Sequence, residues 1–310
     1  MKVFNTCCSL LIGCFLARAL AGEISELTLD RVDKSKLDYY LIQESGDMQE
    51  KVLLLILQGS DCNSIFHNDS IKSEYKKVWP TADLLLIEKY GINKNLPYSS
   101  VPERVDCPKS YIINDSPKQR VADIKAVLEV VRSQTKYTKL VVLGGSEGAV
   151  IANLLSTQLD YVDATVAFNG GGRWFMDDVL HNIVSSQQNS EELKASIDGF
   201  KEFSNVILTS EETVGIEVSQ HGYNWWRQML AIDQLDLLQN VNSPLLILQG
   251  SADLSVSPQK VTEMVLALGE KDNIKYKVYE GLDHGWENSR GESKRNEVIF
   301  DIHTWLKSIL

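Results

Sequence analysis

The most constraining feature of this chain is a glycine-rich turn set between two apolar segments of different period. Leu140-Val141-Val142-Leu143 is a short, continuous apolar run, Gly144-Gly145-Ser146-Glu147-Gly148 follows it, and Ala149 to Leu159 continues at helical spacing. The order is strand, turn, helix. A serine in such a turn takes a backbone angle that most side chains avoid. The residues two before and two after it must be tiny, because the incoming strand and outgoing helix nearly touch. Gly144 and Gly148 meet that demand, so Ser146 is expected at the tip of a strained turn with its hydroxyl exposed. A glycine-rich loop with an incidental serine also fits this stretch alone, so the rest of the chain has to supply the chemistry.

A serine hydroxyl is a weak nucleophile until a neutral imidazole takes its proton and a carboxylate orients that imidazole. Two later segments carry such groups. Leu245 to Gln249 reads as a buried strand running into Gly250-Ser251-Ala252-Asp253, and Lys275 to Glu280 reads as another, running into Gly281-Leu282-Asp283-His284-Gly285-Trp286. Loops at the carboxyl ends of strands in an open α/β sheet gather on one edge. Asp253 and His284 are therefore expected near Ser146. Of the five histidines, His67 falls in a polar loop, His181 and His221 in the middle region and His303 in a C-terminal helical pattern. Asp283 is the rival acid, disfavoured because a chain neighbour must fold back to reach the ring. Ser60 and Ser251 read as turn residues.

These segments resemble the α/β-hydrolase superfamily, in its esterase, prolyl-oligopeptidase-like and dienelactone-hydrolase-like branches, from about residue 37 to the end. The resemblance implies an eight-stranded, mostly parallel sheet flanked by helices, with a helical cap inserted after the sixth strand. It implies Ser146 as nucleophile, Asp253 as acid and His284 as base. After the strand Leu53 to Leu57 comes Gln58-Gly59-Ser60-Asp61, where many members carry a His-Gly pair. Carried over, the oxyanion donors are the backbone amides of Ser60 and Glu147, with Gln58 replacing the common histidine.

Further strands are expected at Leu37 to Gln43, Asp83 to Glu88 and Ala164 to Phe168, and helices at Pro117 to Gln134, Pro258 to Leu268 and Asn296 to Leu306. Between Gly172 and Pro244 lies more chain than one crossover helix needs. Residues 171–243 are read as the cap, with helical patterns at Trp174 to Ser185, Glu191 to Phe203 and Tyr223 to Leu238. Trp174, Trp225 and Trp226 are the candidate substrate-binding residues there, since ligand pockets are mostly apolar. The alternative is that they only pack the cap onto the sheet.

Residues 1–21 read as an export signal: Lys2, an apolar core from Cys7 to Leu16, and Ala19-Leu20-Ala21 before the remaining domain, 22–310. Leu11-Ile12-Gly13-Cys14 also fits a lipobox, which makes a lipid anchor on Cys14 the minority alternative to a free periplasmic or secreted protein. The apolar stretch is too short for a stable membrane span. Outside this segment only Cys62 and Cys107 remain, following two strands whose loops emerge at one edge. A disulfide is expected in an oxidising compartment, with two unpaired thiols as the alternative. A net charge of -11 without a basic cluster argues against nucleic acid as a partner. No His or Cys pair has zinc-ligand spacing, and no cofactor is implied. The chain thus reads as an exported serine hydrolase of small-molecule carboxylic esters or thioesters. The alternatives are a peptidase using the same residues and a non-catalytic binding protein on this fold.

Overall fold

The computed structural model describes residues 23–44, 51–186, 189–210 and 215–310. The expected leader, 1–21, and the alternative anchor Cys14 lie outside the described residues. Strands β1 (Glu23–Asp30), β2 (Lys36–Gln43), β3 (Val52–Leu57), β4 (Asp83–Ile87), β5 (Lys139–Gly145), β6 (Ala164–Phe168), β7 (Leu245–Gly250) and β8 (Ile274–Tyr279) form one sheet. Their spatial order is β1-β2-β4-β3-β5-β6-β7-β8. β2 runs antiparallel to both β1 and β4, and every other pairing is parallel. The helices are α1 (Lys109–Asn114), α2 (Pro117–Gln134), α3 (Glu147–Gln158), α4 (Phe175–Ser186), α5 (Ser190–Thr209), α6 (Tyr223–Ala231), α7 (Gln234–Asn240), α8 (Pro258–Leu268) and α9 (Arg295–Ile309).

The central strands are continuous apolar runs because both faces of the sheet are covered. Side-chain alternation sorts them cleanly. Leu54, Ile56, Leu84, Leu86, Val141, Leu143, Val166 and Leu248 pack on one face with Val298, Ile302 and Leu306 of α9. Leu53, Leu55, Leu57, Leu85, Leu140 and Val142 pack on the other with Val121, Ile124, Val127 and Leu128 of α2 and Ile151 and Leu155 of α3. Helix starts follow local chemistry: Ser116 accepts from the Gln119 amide before Pro117, and Ser257 accepts from the Lys260 amide before Pro258. Among the described residues no helix is long and apolar enough to cross a membrane.

Two departures from expectation concern the edge strand and the inserted helices. β1 was not anticipated; it pairs with β2 across a short turn in which Lys34 adopts φ 69°, and Leu27 and Leu29 pack against the α2 face. The single helix expected over Tyr223 to Leu238 is two. The chain leaves the helix at Ile232 and Asp233 caps the next one, accepting from the amides of Leu235 and Asp236. The inserted helices α4–α7 follow β6: α4 bonds the loop after β7 through Asp178 and His181, α6 packs on α1 and α2, and α7 on α3 and α8.

Cys62 and Cys107 form a disulfide across 45 residues of sequence. A loop of that size is worth about 4 kcal/mol in the chain-entropy account. Replacing both cysteines with serine should lower the unfolding free energy by roughly that amount in a urea titration. An unchanged midpoint and slope would contradict a bond that restrains the unfolded chain.

Candidate active site

Ser146 sits between β5 and α3 at φ 55° and ψ -128°, the strained setting read from the glycines. A Cβ on Gly144 would run into the Gly148 carbonyl, one on Gly148 into the Leu57 carbonyl, and one on Gly145 into the Phe168 ring. The turn is held by the Ser146 amide donating to the Phe168 carbonyl at 3.0 Å and the Ala149 amide donating to the Ser146 carbonyl at 2.9 Å.

Asp253 and His284 meet as expected, with His284 Nδ1 2.7 Å from Asp253 Oδ2. The carboxylate is fully buried while the imidazole is 31% exposed. Asp253 is also anchored by Gln249 Nε2 on Oδ2 at 3.1 Å, and by the Ser255 and Val256 amides on Oδ1 at 2.8 and 3.1 Å. All its acceptor capacity is used, which fixes its orientation. Asp283, the rival, is spent inside the histidine loop, accepting from the Gly285 and Glu287 amides. Ser251 is likewise a turn residue, donating to Glu280 and accepting from the Gly281 amide. The other histidines make structural bonds: His67 to the Lys94 carbonyl, His303 to the Val78 carbonyl, and His181 to the carbonyl of Asp253 itself. His221 is stacked on Trp225 at 3.7 Å, and burial drives its imidazole down to about 3.

Ser146 and His284 line one open cleft of about 420 Å³. No hydrogen bond joins them among the described residues, and such bonds commonly tighten only when substrate is bound. Ser60 lines the same cleft, and a Cβ on the adjacent Gly59 would lie 3.3 Å from Ser146 Cβ. The loop is braced from within by Gln58, whose Nε2 donates to the Asn63 carbonyl at 2.8 Å and to Asp61 Oδ1 at 3.2 Å. Glu147, next to Ser146, is buried against Arg120 at 2.8 Å. Burial opposes its charge, but Arg120 and Lys89 outweigh that and hold its carboxyl below the usual range.

The aromatic residues expected to bind substrate, Trp174, Trp225 and Trp226, lie away from this cleft. Trp225 and Trp226 are buried in a separate core with Val150, Ile207 and Met229, and Phe175 packs edge-on against Trp225. Trp174 is partly exposed beside Arg173. None of the three lines the cleft at Ser146. The apolar surface of Trp225 and Trp226 is used up in packing the inserted helices together and onto Val150 of α3. The cleft wall is built instead from Ile71, Tyr75, Tyr98, Phe168 and Arg295. Tyr75 stacks on Phe168 at 5.1 Å, and Arg295 bonds Glu74 and Ser70 at 3.0 and 3.1 Å. These residues were missed because they come from helical turns, a strand end and, for Tyr98, an irregular loop, none of which carries a motif. Asn169 was missed as well. It sits at φ 48° at the end of β6, donating to the His284 carbonyl at 2.9 Å and accepting from the Gly250 amide at 3.0 Å. An asparagine between a strand and three glycines was its one available signal, since asparagine tolerates left-handed backbone.

Against known proteins, the model of the prolyl oligopeptidase family, peptidase family S9, matches residues 110–310, which contain Ser146, Asp253 and His284. Among solved structures, Est1E from Butyrivibrio proteoclasticus superposes with a TM-score of 0.57 at 14% identity, covering 91% of this chain and 98% of its own. The Pyrococcus furiosus esterase Pf2001 gives 0.61 at 16%, covering 96% of each chain. A Pyrococcus horikoshii acylaminoacyl peptidase gives 0.58 at 13%, covering 94% of this chain and 42% of its own. No curated protein matches the sequence. The expected α/β-hydrolase fold is the fold observed.

The loop bearing Asp253 is also tied to the inserted helices through Asp178 of α4. Its Oδ1 accepts from the Ser257 amide at 2.9 Å, and both its oxygens accept from the Gly172 amide. Burial pushes the Asp178 carboxyl from its ordinary 3.8 up to about 7 despite those amides. Between these two values the folded state holds a proton that the unfolded chain has released. The stabilisation is therefore complete below the unfolded value and lost as pH rises through the folded one. Relative to Asp178→Asn, the wild type should lose stability from about pH 4 to 7, by at most about 1.4 kcal/mol per unit. Denaturant unfolding of both proteins across that range measures it, and a constant difference would contradict it.

Proposed function

Because this chain belongs to the prolyl oligopeptidase family and is a serine hydrolase, we propose that it cleaves carboxylic ester bonds, thioesters included, through Ser146, His284 and Asp253. The observation carrying the reading is the buried Asp253 carboxylate 2.7 Å from His284 Nδ1, with Ser146 on a strained turn in the same cleft. A proton on Nδ1 shared with Asp253 leaves Nε2 as the base. As Ser146 Oγ attacks the acyl carbonyl, Nε2 takes its proton, and the carbonyl oxygen becomes an oxyanion facing the amides of Ser60 and Glu147. When the tetrahedral adduct collapses, the imidazolium gives that proton to the leaving alcohol. Water then repeats the sequence on the acyl-enzyme, deprotonated by the same nitrogen, and releases the acid and free Ser146.

The ester reading draws support from two esterases that superpose over 98% and 96% of their own length. A peptidase reading is favoured by the family model, since amide cleavage needs the same residues with a poorer leaving group. Residues 22–310 act as one hydrolase domain, with 171–243 as its helical cap insertion. The Cys62–Cys107 bond supports an exported protein.

Steady-state rates on nitrophenyl esters of rising acyl length and on aminoacyl nitroanilides test the proposal. Esters should turn over faster, and Ser146→Ala should lower kcat/KM by about 10⁴-fold or more. Faster anilide cleavage would establish the peptidase instead, and a Ser146→Ala rate within about tenfold of wild type would overturn the nucleophile.

A further inference from the structure

Behind the loop that follows β3 lies a cluster of buried charges that the acyl-transfer steps do not consume. Lys89, Asp115, Arg120 and Glu147 are each at most 6% exposed, and Tyr111 and His221 are buried among them. The donors of this cluster converge on one target. Arg120 Nη2 donates to the Gln58 carbonyl at 3.0 Å, Tyr111 Oη to the Ser60 carbonyl at 3.0 Å, and Lys89 Nζ to the Asp61 carbonyl at 2.5 Å. Arg120 Nη1 at the same time donates to Glu147 Oε1 at 2.8 Å.

One guanidinium therefore joins Glu147, whose amide is one of the proposed oxyanion donors, to the loop that carries the other. The carbonyl and amide of a planar trans peptide point in opposite directions. Holding the Gln58 and Ser60 carbonyls on the buried side fixes the peptide units on either side of the Gly59–Ser60 bond and so restrains the Ser60 amide between them. Lys89 and Tyr111 each reach one carbonyl, whereas the planar fork of Arg120 spans both segments. A buried ion pair adds little net stability over apolar packing, so what this one supplies is geometry.

We propose that Arg120 is a positioning residue for the oxyanion site, holding the Ser60 and Glu147 amides in register so that stabilisation of the transition state, and not substrate binding, depends on it. The inference rests on the donor assignment made under the proposed function. The test uses the full chain with Arg120→Lys, which keeps the charge but loses the fork. It also uses Arg120→Met combined with Glu147→Gln, which removes the guanidinium together with its carboxylate partner and leaves the net charge of the cluster unchanged. Melting temperature, kcat and KM on a nitrophenyl ester, and inhibition by a trifluoromethyl ketone are measured for each.

Folded variants should lose about 10- to 100-fold in kcat at nearly constant KM, with affinity for the ketone falling in parallel. A folded variant that keeps kcat and ketone affinity within about threefold of wild type would overturn the proposal, as would a rise in KM alone. Should Arg120→Lys melt early, the charge-neutral pair decides. A wild-type protein that turns over no acyl substrate removes the parent reading itself, whereas an active one leaves Arg120 to be judged on its variants.

Discussion

Gly148 lies so close to the end of β3 that a methyl group there would strike the carbonyls of Leu57 and Gln58. That approach sets the distance between the turn bearing Ser146 and the loop bearing Ser60. The same economy recurs at Gly144, which admits the Gly148 carbonyl, and at Gly145, which admits the Phe168 ring. Left-handed backbone at a residue with a side chain costs about 1–3 kcal/mol. It persists at Ser146 because the surrounding packing leaves no other path: α3 is buried along Ala149, Ile151, Ala152 and Leu155, and the Ser146 amide is held by Phe168.

With the turn fixed, the two halves of the site are supported by different physics. Around Asp253 and His284 the supports are neutral side chains and backbone amides. Asp253 is saturated by Gln249 and two loop amides, while Asn169 ties the end of β7 to the histidine loop. Around the loop bearing Ser60 the supports are charged, running from Lys89 and Arg120 to the carbonyls of Gln58 and Asp61. Asp115 shares that interior with both carboxylate oxygens unpartnered, and burial raises its carboxyl to about 7. Glu147, held below the usual range by Arg120 and Lys89 despite its burial, is the carboxylate paired with Arg120.

The legible parts of the molecule were those where a local rule coincides with a global demand. The turn at Ser146 shows in the sequence because only glycine satisfies the close approach, and the central strands show because burial on both faces makes them uniformly apolar. Asp253 and His284 could be placed because strand ends in such a sheet share an edge. β1 escaped because an edge strand such as EISELTLD carries polar residues among few apolar ones, so its pattern is weak. The break at Asp233 depends on a cap chosen by tertiary context, where Arg173 bonds the same carboxylate. The aromatic residues misled because apolar surface serves a pocket and a core equally well. Only packing tells them apart, and here Trp225 and Trp226 are enclosed by Phe175, Phe200 and Phe203.

The central claim is that Ser146 is an activated nucleophile whose activation depends on His284. Its most direct measurement is the intact mass of the folded protein after exposure to a fluorophosphonate, with the modified residue located by peptide mapping. One adduct per chain on Ser146, lost in Ser146→Ala and much slowed in His284→Ala, is the outcome this account requires. A folded wild-type protein that takes up no label, or carries it on another residue, would contradict it.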